Sequence, residues 1–270
     1  MGLACARPCR APERGAAGGA PRPVGILNHQ NNCFASAVLQ ALFALRPLRE
    51  EIFRRGAALQ SAADAAPDTV KEQSFVLALY HVFLALSAAG GRLRSRSAVV
   101  SIAPFLAELQ QKSQLFALGE HHDAHEFHSF VISELAECAS RGAARAEERD
   151  PRGREEGEAP RRKDDWISGL FKGQLACTTE CLYCGTATQK REAFMDLQLD
   201  VHRRACVRSA LESLEATEVL KGTNKYYCSE CLTHHWAMRS SQLAQLPPLL
   251  TIHLKLPEEK QPQAETIAIA

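Results

Sequence analysis

The feature that most restricts this chain is a doubled cysteine motif. Cys181-Leu-Tyr-Cys184 and Cys228-Ser-Glu-Cys231 are two CxxC segments with 43 residues (185–227) between them. A CxxC turn brings two thiolates to the separation a zinc ion requires, and a second turn completes a tetrahedron. A redox CxxC would need one pair only, at a helix N-terminus after a strand. Both pairs here sit between strand-like segments, and Gly185 follows the first as a knuckle glycine does. The four cysteines are therefore expected to hold a structural zinc ion with no coordination position left open. Its binding would contribute directly to folding of that region. Cys177 and Cys206 fall off this spacing and read as core residues.

Ten cysteines in 270 residues could mean a secreted disulfide framework, but the first 24 residues lack an apolar signal core. A reducing, intracellular compartment, cytoplasmic or nuclear, is expected. Lys plus Arg is 32 and Asp plus Glu is 31, a net charge of +1. That balance, with no basic stripe interleaved with aromatics, gives no drive toward nucleic acid. The longest apolar run, 75–89, contains His81 and is too short to span a bilayer, so no membrane span is expected.

Along the chain, residues 1–24 are rich in Pro, Gly, Ala and Arg and read as a disordered tail. From 25 to 140 apolar residues recur three and four apart, which predicts helices over 33–45, 74–88, 98–110 and 123–138, with Pro47 closing the first. Residues 141–165 hold eight basic and eight acidic residues and almost nothing apolar, and read as a disordered charged insert. After Trp166 the period changes. Met195, Leu197, Leu199 and Val201 alternate with polar residues, as do Leu250, Ile252, Leu254 and Leu256. A short helix is expected over 206–216, and 257–270 reads as a tail. The fold class is thus α+β, a helical first half before a strand-rich second half.

Cys33 opens the first apolar helix, whose inner face is Phe34, Val38, Leu42 and Leu45. A helix N-terminus presents unpaired N–H groups and positive potential, which favour a thiolate and suit a nucleophile. The loop before it carries Asn28, Asn31 and Asn32, whose amides can donate to a developing oxyanion. These residues alone favour a buried cysteine at a helix start over a nucleophile.

The residues Gly25, Asn28, Asn31, Cys33, Leu39 and Gln40 form the pattern GxxNxxNxCxxxxxLQ, which resembles the cysteine box of the ubiquitin-specific proteases. Three further blocks agree in order. His122-Asp-Ala-His-Glu-Phe127 is similar to that family's QDAHEF segment. Phe171-Lys-Gly-Gln-Leu175 with the two CxxC pairs is similar to its zinc-binding fingers. Leu246-Pro-Pro-Leu-Leu-Thr-Ile-His-Leu-Lys255 is similar to its LPxxLxIHLKRF strand.

The resemblance implies a papain-like hand: a helical thumb over 25–140, zinc-ribbon β fingers over 166–256, and the start of a β palm. It implies a deubiquitinase in which Cys33 attacks the isopeptide carbonyl after ubiquitin's C-terminal glycine. Asn28 and the Cys33 N–H would hold the oxyanion, and Asp123 would contact the ubiquitin tail. A purely local reading of Asp123, followed by Glu126, is the N-cap of a helix. His125 reads as a packing residue. The implied partners are ubiquitin and ubiquitinated proteins.

Departures accompany the match. Gln30 stands where the family usually has Gly, and Asn32 where it has Thr. The family's general base lies downstream in a Gly-His-Tyr motif, and no such tripeptide occurs among the 270 residues. The sequence therefore reads as truncated before that block, with a catalytically inactive ubiquitin-binding or scaffold protein as the alternative.

Overall fold

The computed structural model describes residues 24–66, 70–71, 73–91, 99–117, 119–149, 166–201 and 206–255. Residues 1–23 of the expected tail at 1–24, the expected tail at 257–270, and residues 150–165 of the expected insert lie outside the described residues. Two compact units emerge, a helical one ending at Leu170 and a strand-rich one beginning at Phe171.

In the helical unit, β1 (Gly25–Ile26) pairs in parallel with β2 (Val99–Val100). The Leu27 N–H donates to the Val100 carbonyl at 2.9 Å and extends this ladder toward the cysteine. Helix α1 (Cys33–Ala44) buries Phe34, Ala35, Val38, Leu39 and Leu42, residues that a 3.6-residue period places on one side. Leu45 is an extended link rather than helix, because α2 (Arg46–Ala65) begins immediately. The sequence reading missed α2. Pro47 opens it instead of only closing α1, since a proline in the first turn gives up an N–H that has no intrahelical partner. Its apolar stripe is thin: Leu48, Ile52 and Gly56 are buried.

Helices α3 (Ser74–Gly91), α4 (Ala103–Lys112) and α5 (Ala124–Arg149) follow. The expected start of α4 at 98 shifts to Ala103, because Val99 and Val100 are committed to β2 and Pro104 sits in the first turn. Helix α5 corrects the expected boundary at 141. It continues through 149, over a segment rich in the helix formers Ala, Arg and Glu that extends an already anchored helix. Phe75, Phe83, Phe105 and Phe127 are fully buried with Leu39, Leu79, Ile102 and Leu109, each contributing on the order of 1.5–3 kcal/mol. Helix α6 (Trp166–Phe171) closes the unit, with the Arg55 guanidinium 4.9 Å above the Trp166 ring.

The strand-rich unit contains β3 (Gly173–Cys181), β4 (Ala187–Phe194), β5 (Leu197–Asp200), α7 (Val207–Leu214), β6 (Glu218–Leu220), β7 (Tyr226–Cys228), β8 (Thr233–His235), β9 (Ala237–Gln245) and β10 (Ile252–Lys255). Strands β4-β3-β9-β6 form an antiparallel sheet, β7 and β8 a hairpin, and β5 and β10 a parallel pair. The two expected alternating segments are β5 and β10, with Leu197 opposite Ile252 and Leu199 opposite Leu254. Helix α7 buries Ala210 against this pair. Cys177 is buried as expected, but Cys206 is not a core residue. It is the half-buried N-cap of α7, and its N–H donates to Ser209 Oγ at 3.1 Å. The architecture is α+β. Among the described residues no helix is long and apolar enough to cross a membrane.

Candidate active site and metal centre

The loop between β1 and α1 is made by two left-handed residues. Gln30 has φ 52° and Asn31 φ 63°, a region in which a side chain costs about 1–2 kcal/mol. Contacts to one glycine hold it there. The Gly119 N–H donates to the Gln30 carbonyl at 2.9 Å, and Asn31 Nδ2 donates to the Gly119 carbonyl at 2.9 Å. Gly119 itself has φ 91°, a conformation glycine takes without strain.

The three asparagines named from the sequence separate into different tasks. The Asn31 amide is committed to Gly119. Asn32 is 1% exposed and turns back into the loop, where its Oδ1 accepts from the His29 N–H at 2.9 Å and its Nδ2 faces the Leu27 carbonyl at 3.4 Å. Neither is placed to serve as an oxyanion donor. Asn28 is exposed, and its Oδ1 accepts from the Asn32 N–H at 3.1 Å. With the oxygen occupied, its amide nitrogen is the donor it can offer a ligand.

Cys33 is exposed at the first position of α1, and Asn31 O lies 4.0 Å from its Sγ. This excludes the sealed-core reading of the thiol. Asn32 occupies the N-cap position without a side-chain capping bond. The first-turn N–H groups, among them that of Cys33, are left without a side-chain cap, so they can meet an anionic oxygen. Below the thiol, the Phe34 ring packs on Phe116, Phe127 and His122 at centroid distances of 5.1–6.0 Å. His122 Nε2 lies 3.1 Å from the Ala117 carbonyl, which pins the segment leading to α5.

Asp123 caps α5. Its Oδ1 accepts the N–H groups of His125 at 2.6 Å and Glu126 at 3.1 Å, the geometry of an N-cap carboxylate. The local reading of this residue is thus realised, and its exposed carboxylate lies at the surface. His29 Nε2 is 3.0 Å from Ser101 Oγ and His81 Nε2 is 2.8 Å from Gln60 Oε1. These rings engage groups other than the Cys33 thiol.

In the strand-rich unit the ligand atoms of Cys181, Cys184, Cys228 and Cys231 all lie within 4.8 Å of one another. The Sγ atoms of Cys184 and Cys228 are 3.6 Å apart, against a tetrahedral edge of about 3.8 Å for zinc–sulfur bonds of about 2.3 Å. None of the four forms a disulfide. The donor set thus fits a tetrahedral, thiophilic ion. Thr186 supports it from outside the four ligands. Its hydroxyl lies 3.3 Å from Cys184 Sγ, and its hydroxyl and N–H bring that thiol down to about 6. Desolvation and the neighbouring sulfurs push Cys231 up to about 12. Each knuckle ends in a left-handed residue, Gly185 (φ 73°) in the first and Leu232 (φ 52°) in the second. The roles of Asn32, Gly119 and Thr186 were not visible from the sequence, since each depends on a turn rather than on a spacing.

The sequence model of the family described as Ubiquitin carboxyl-terminal hydrolase matches residues 24–266. Ubiquitin carboxyl-terminal hydrolase 4 of Arabidopsis thaliana is 29% identical over 247 residues, 87% of this chain and 64% of that protein. Ubiquitin carboxyl-terminal hydrolase 46 of Caenorhabditis elegans is 28% identical over 270 residues, 86% of this chain and 61% of that protein. The chain thus spans a little over three-fifths of the length of these relatives. The fold is similar to a chain in the structure of the SAGA Ubp8/Sgf11/Sus1/Sgf73 DUB module bound to ubiquitin aldehyde, with a TM-score of 0.61 and 22% identity over 86% of this chain and 47% of that one.

Proposed function

Because the chain belongs to the ubiquitin carboxyl-terminal hydrolase family, we propose that it binds ubiquitin and presents Cys33 as the nucleophile toward the carbonyl of ubiquitin's C-terminal glycine. The observation that carries this is the exposed thiol at an uncapped helix N-terminus, beside an Asn28 amide whose oxygen is already bonded. Attack by sulfur places negative charge on the carbonyl oxygen. The Cys33 N–H and Asn28 Nδ2 supply the two donors for it, an arrangement that acts where charge develops in the transition state. Asp123, at the surface beside the start of α5, contacts the basic or amide groups of the ubiquitin tail. Zinc held by Cys181, Cys184, Cys228 and Cys231 supplies structure, not chemistry, since four protein ligands leave no open position. Absence of disulfides among the described cysteines fits a cytoplasmic or nuclear setting.

A second reading has its own support. Among the described residues the imidazoles of His29, His81 and His122 meet groups other than the Cys33 thiol. A chain with nucleophile and oxyanion donors but no base to take the thiol proton binds ubiquitin without turning it over. Loss of such a group costs several orders of magnitude in rate. Titration of the full chain with ubiquitin, alongside hydrolysis of a ubiquitin–lysine conjugate, tests both. Binding that persists in Cys33→Ala is expected. Turnover lost in that variant selects the hydrolase, binding without turnover selects the inert form, and absence of binding overturns both.

A further inference from the structure

Asn32, 1% exposed, is the one polar residue buried as a whole among the described residues, and it does not cap the helix at whose N-cap position it stands. Its side-chain contacts go backward into the loop, Oδ1 to the His29 N–H and Nδ2 to the Leu27 carbonyl, as does its backbone N–H to Asn28 Oδ1, while its carbonyl accepts the first helical bond from the Ser36 N–H at 3.0 Å. The side chain thus ties the reversal to His29 and Leu27, and the backbone N–H it holds in place meets Asn28 Oδ1. It joins the end of the β1 ladder at Leu27 to the start of α1.

We infer that Asn32 is the positioning residue of the oxyanion site. It aims the Asn28 amide nitrogen and leaves the Cys33 N–H uncapped, so both donors face one point. The inference rests on the proposed function above and adds the residue that sets its geometry. Two consequences of the contacts carry it. With the Asn28 oxygen held by the Asn32 N–H, rotation of the Asn28 amide by half a turn would oppose two donors. With the Asn32 amide directed into the loop, the helix N-terminus keeps its capacity for an anion. A cap turned forward onto α1 would use that capacity internally.

Ubiquitin aldehyde is the probe, used against unmodified ubiquitin on the full chain. Cys33 Sγ bonds to the aldehyde carbon, the thiol proton passes to the carbonyl oxygen, and no group leaves. The tighter binding of the aldehyde therefore reports the thiol and its oxyanion donors without needing a general base for the equilibrium. Asn32→Ala is expected to reduce the aldehyde-over-ubiquitin preference by about tenfold or more while affinity for ubiquitin itself is unchanged, since small misplacements of reacting groups are costly. Asn32→Asp supplies the second readout. Its buried carboxylate keeps the acceptor for His29 but repels the Leu27 carbonyl, and only the protonated acid can donate there. The preference, divided by that of the unsubstituted chain at the same pH, is expected to be lost at pH 8 and to recover toward pH 5. A preference that survives in Asn32→Ala, or one in Asn32→Asp that does not change between pH 8 and pH 5, overturns the inference. No preference for the aldehyde in the unsubstituted chain overturns the proposed function instead.

Discussion

The backbone N–H of Asn32 donates to Asn28 Oδ1 at 3.1 Å, which fixes the direction of an exposed amide from the one buried polar residue described. Asn28→Asp separates the two halves of that amide. The accepting oxygen is retained and the donor is removed. Thermal stability is expected to stay within about 0.5 kcal/mol, the range of surface substitutions. The rate of reaction with a carbonyl electrophile at ubiquitin's C-terminus is expected to fall about 100-fold, as for loss of one oxyanion donor. Stopped-flow or gel-based kinetics of adduct formation measures this, and an unchanged rate removes Asn28 from the site.

Gln30 occupies a left-handed conformation with φ 52°. Glycine takes that conformation without the roughly 1–2 kcal/mol penalty, but costs about 0.5–1 kcal/mol in unfolded-state entropy. Gln30→Gly should therefore be neutral to stabilising by about 1 kcal/mol, and Gln30→Val destabilising. Chemical denaturation followed by circular dichroism gives the sign. A glycine variant less stable than the parent contradicts the strained-loop account.

Much of this fold was legible from periodicity, and what was missed has a common cause. Helices α1, α3 and α5 carry broad apolar faces. Helix α2 rests on Leu48, Ile52 and Gly56, and its first turn contains the proline that also marks an ending. Strand β4 is mostly exposed along its length, so it shows no alternation. At the site, the four clustered cysteines stand out by spacing, and Cys33 by its place in the family pattern rather than by spacing. The different tasks of Asn28, Asn31 and Asn32 do not, because they follow from the positive φ at 30 and 31 and from Gly119, 86 residues beyond Cys33 in the chain.

Gly56 on α2 is a case in which propensity and packing oppose each other. Alanine is favoured over glycine by about 1 kcal/mol in a helix interior. A Cβ at 56, however, would lie 2.2 Å from Tyr80 Cγ and 2.4 Å from Tyr80 Cβ, atoms too close to the backbone of α3 to swing aside. Packing prevails: Gly56→Ala is expected to destabilise by about 1–3 kcal/mol. A more stable variant in thermal or denaturant unfolding would show that α2 and α3 do not approach this closely.

The cysteine cluster predicts a pH dependence for the metal-free chain, prepared with a chelator and kept reduced. Thr186 holds Cys184 down to about 6, so between pH 6 and 9 it is a thiolate when folded and a thiol when unfolded. The unfolded state then binds more protons, and stability rises with pH across that window. Cys231, pushed up to about 12 by burial and its neighbours, keeps its proton when folded while the unfolded thiol loses it above 9. Stability therefore falls from 9 toward 12. Metal removal should lower the melting temperature and speed hydrogen exchange in β7 and β8. The apo chain should then be most stable near pH 9, and Cys184→Ala should abolish the rise below it. A flat profile from pH 6.5 to 9 would remove Thr186 from the account.

Adduct mapping with ubiquitin carrying a C-terminal electrophile puts the nucleophile itself to the test. Eight cysteines lie among the described residues, and peptide mass spectrometry distinguishes them. The expected result is one ubiquitin per chain, on Cys33 alone, absent in Cys33→Ala and present at normal yield in Cys206→Ala. Ubiquitin attached to Cys184, Cys206 or another thiol, or an adduct that persists in Cys33→Ala, would contradict the assignment of Cys33.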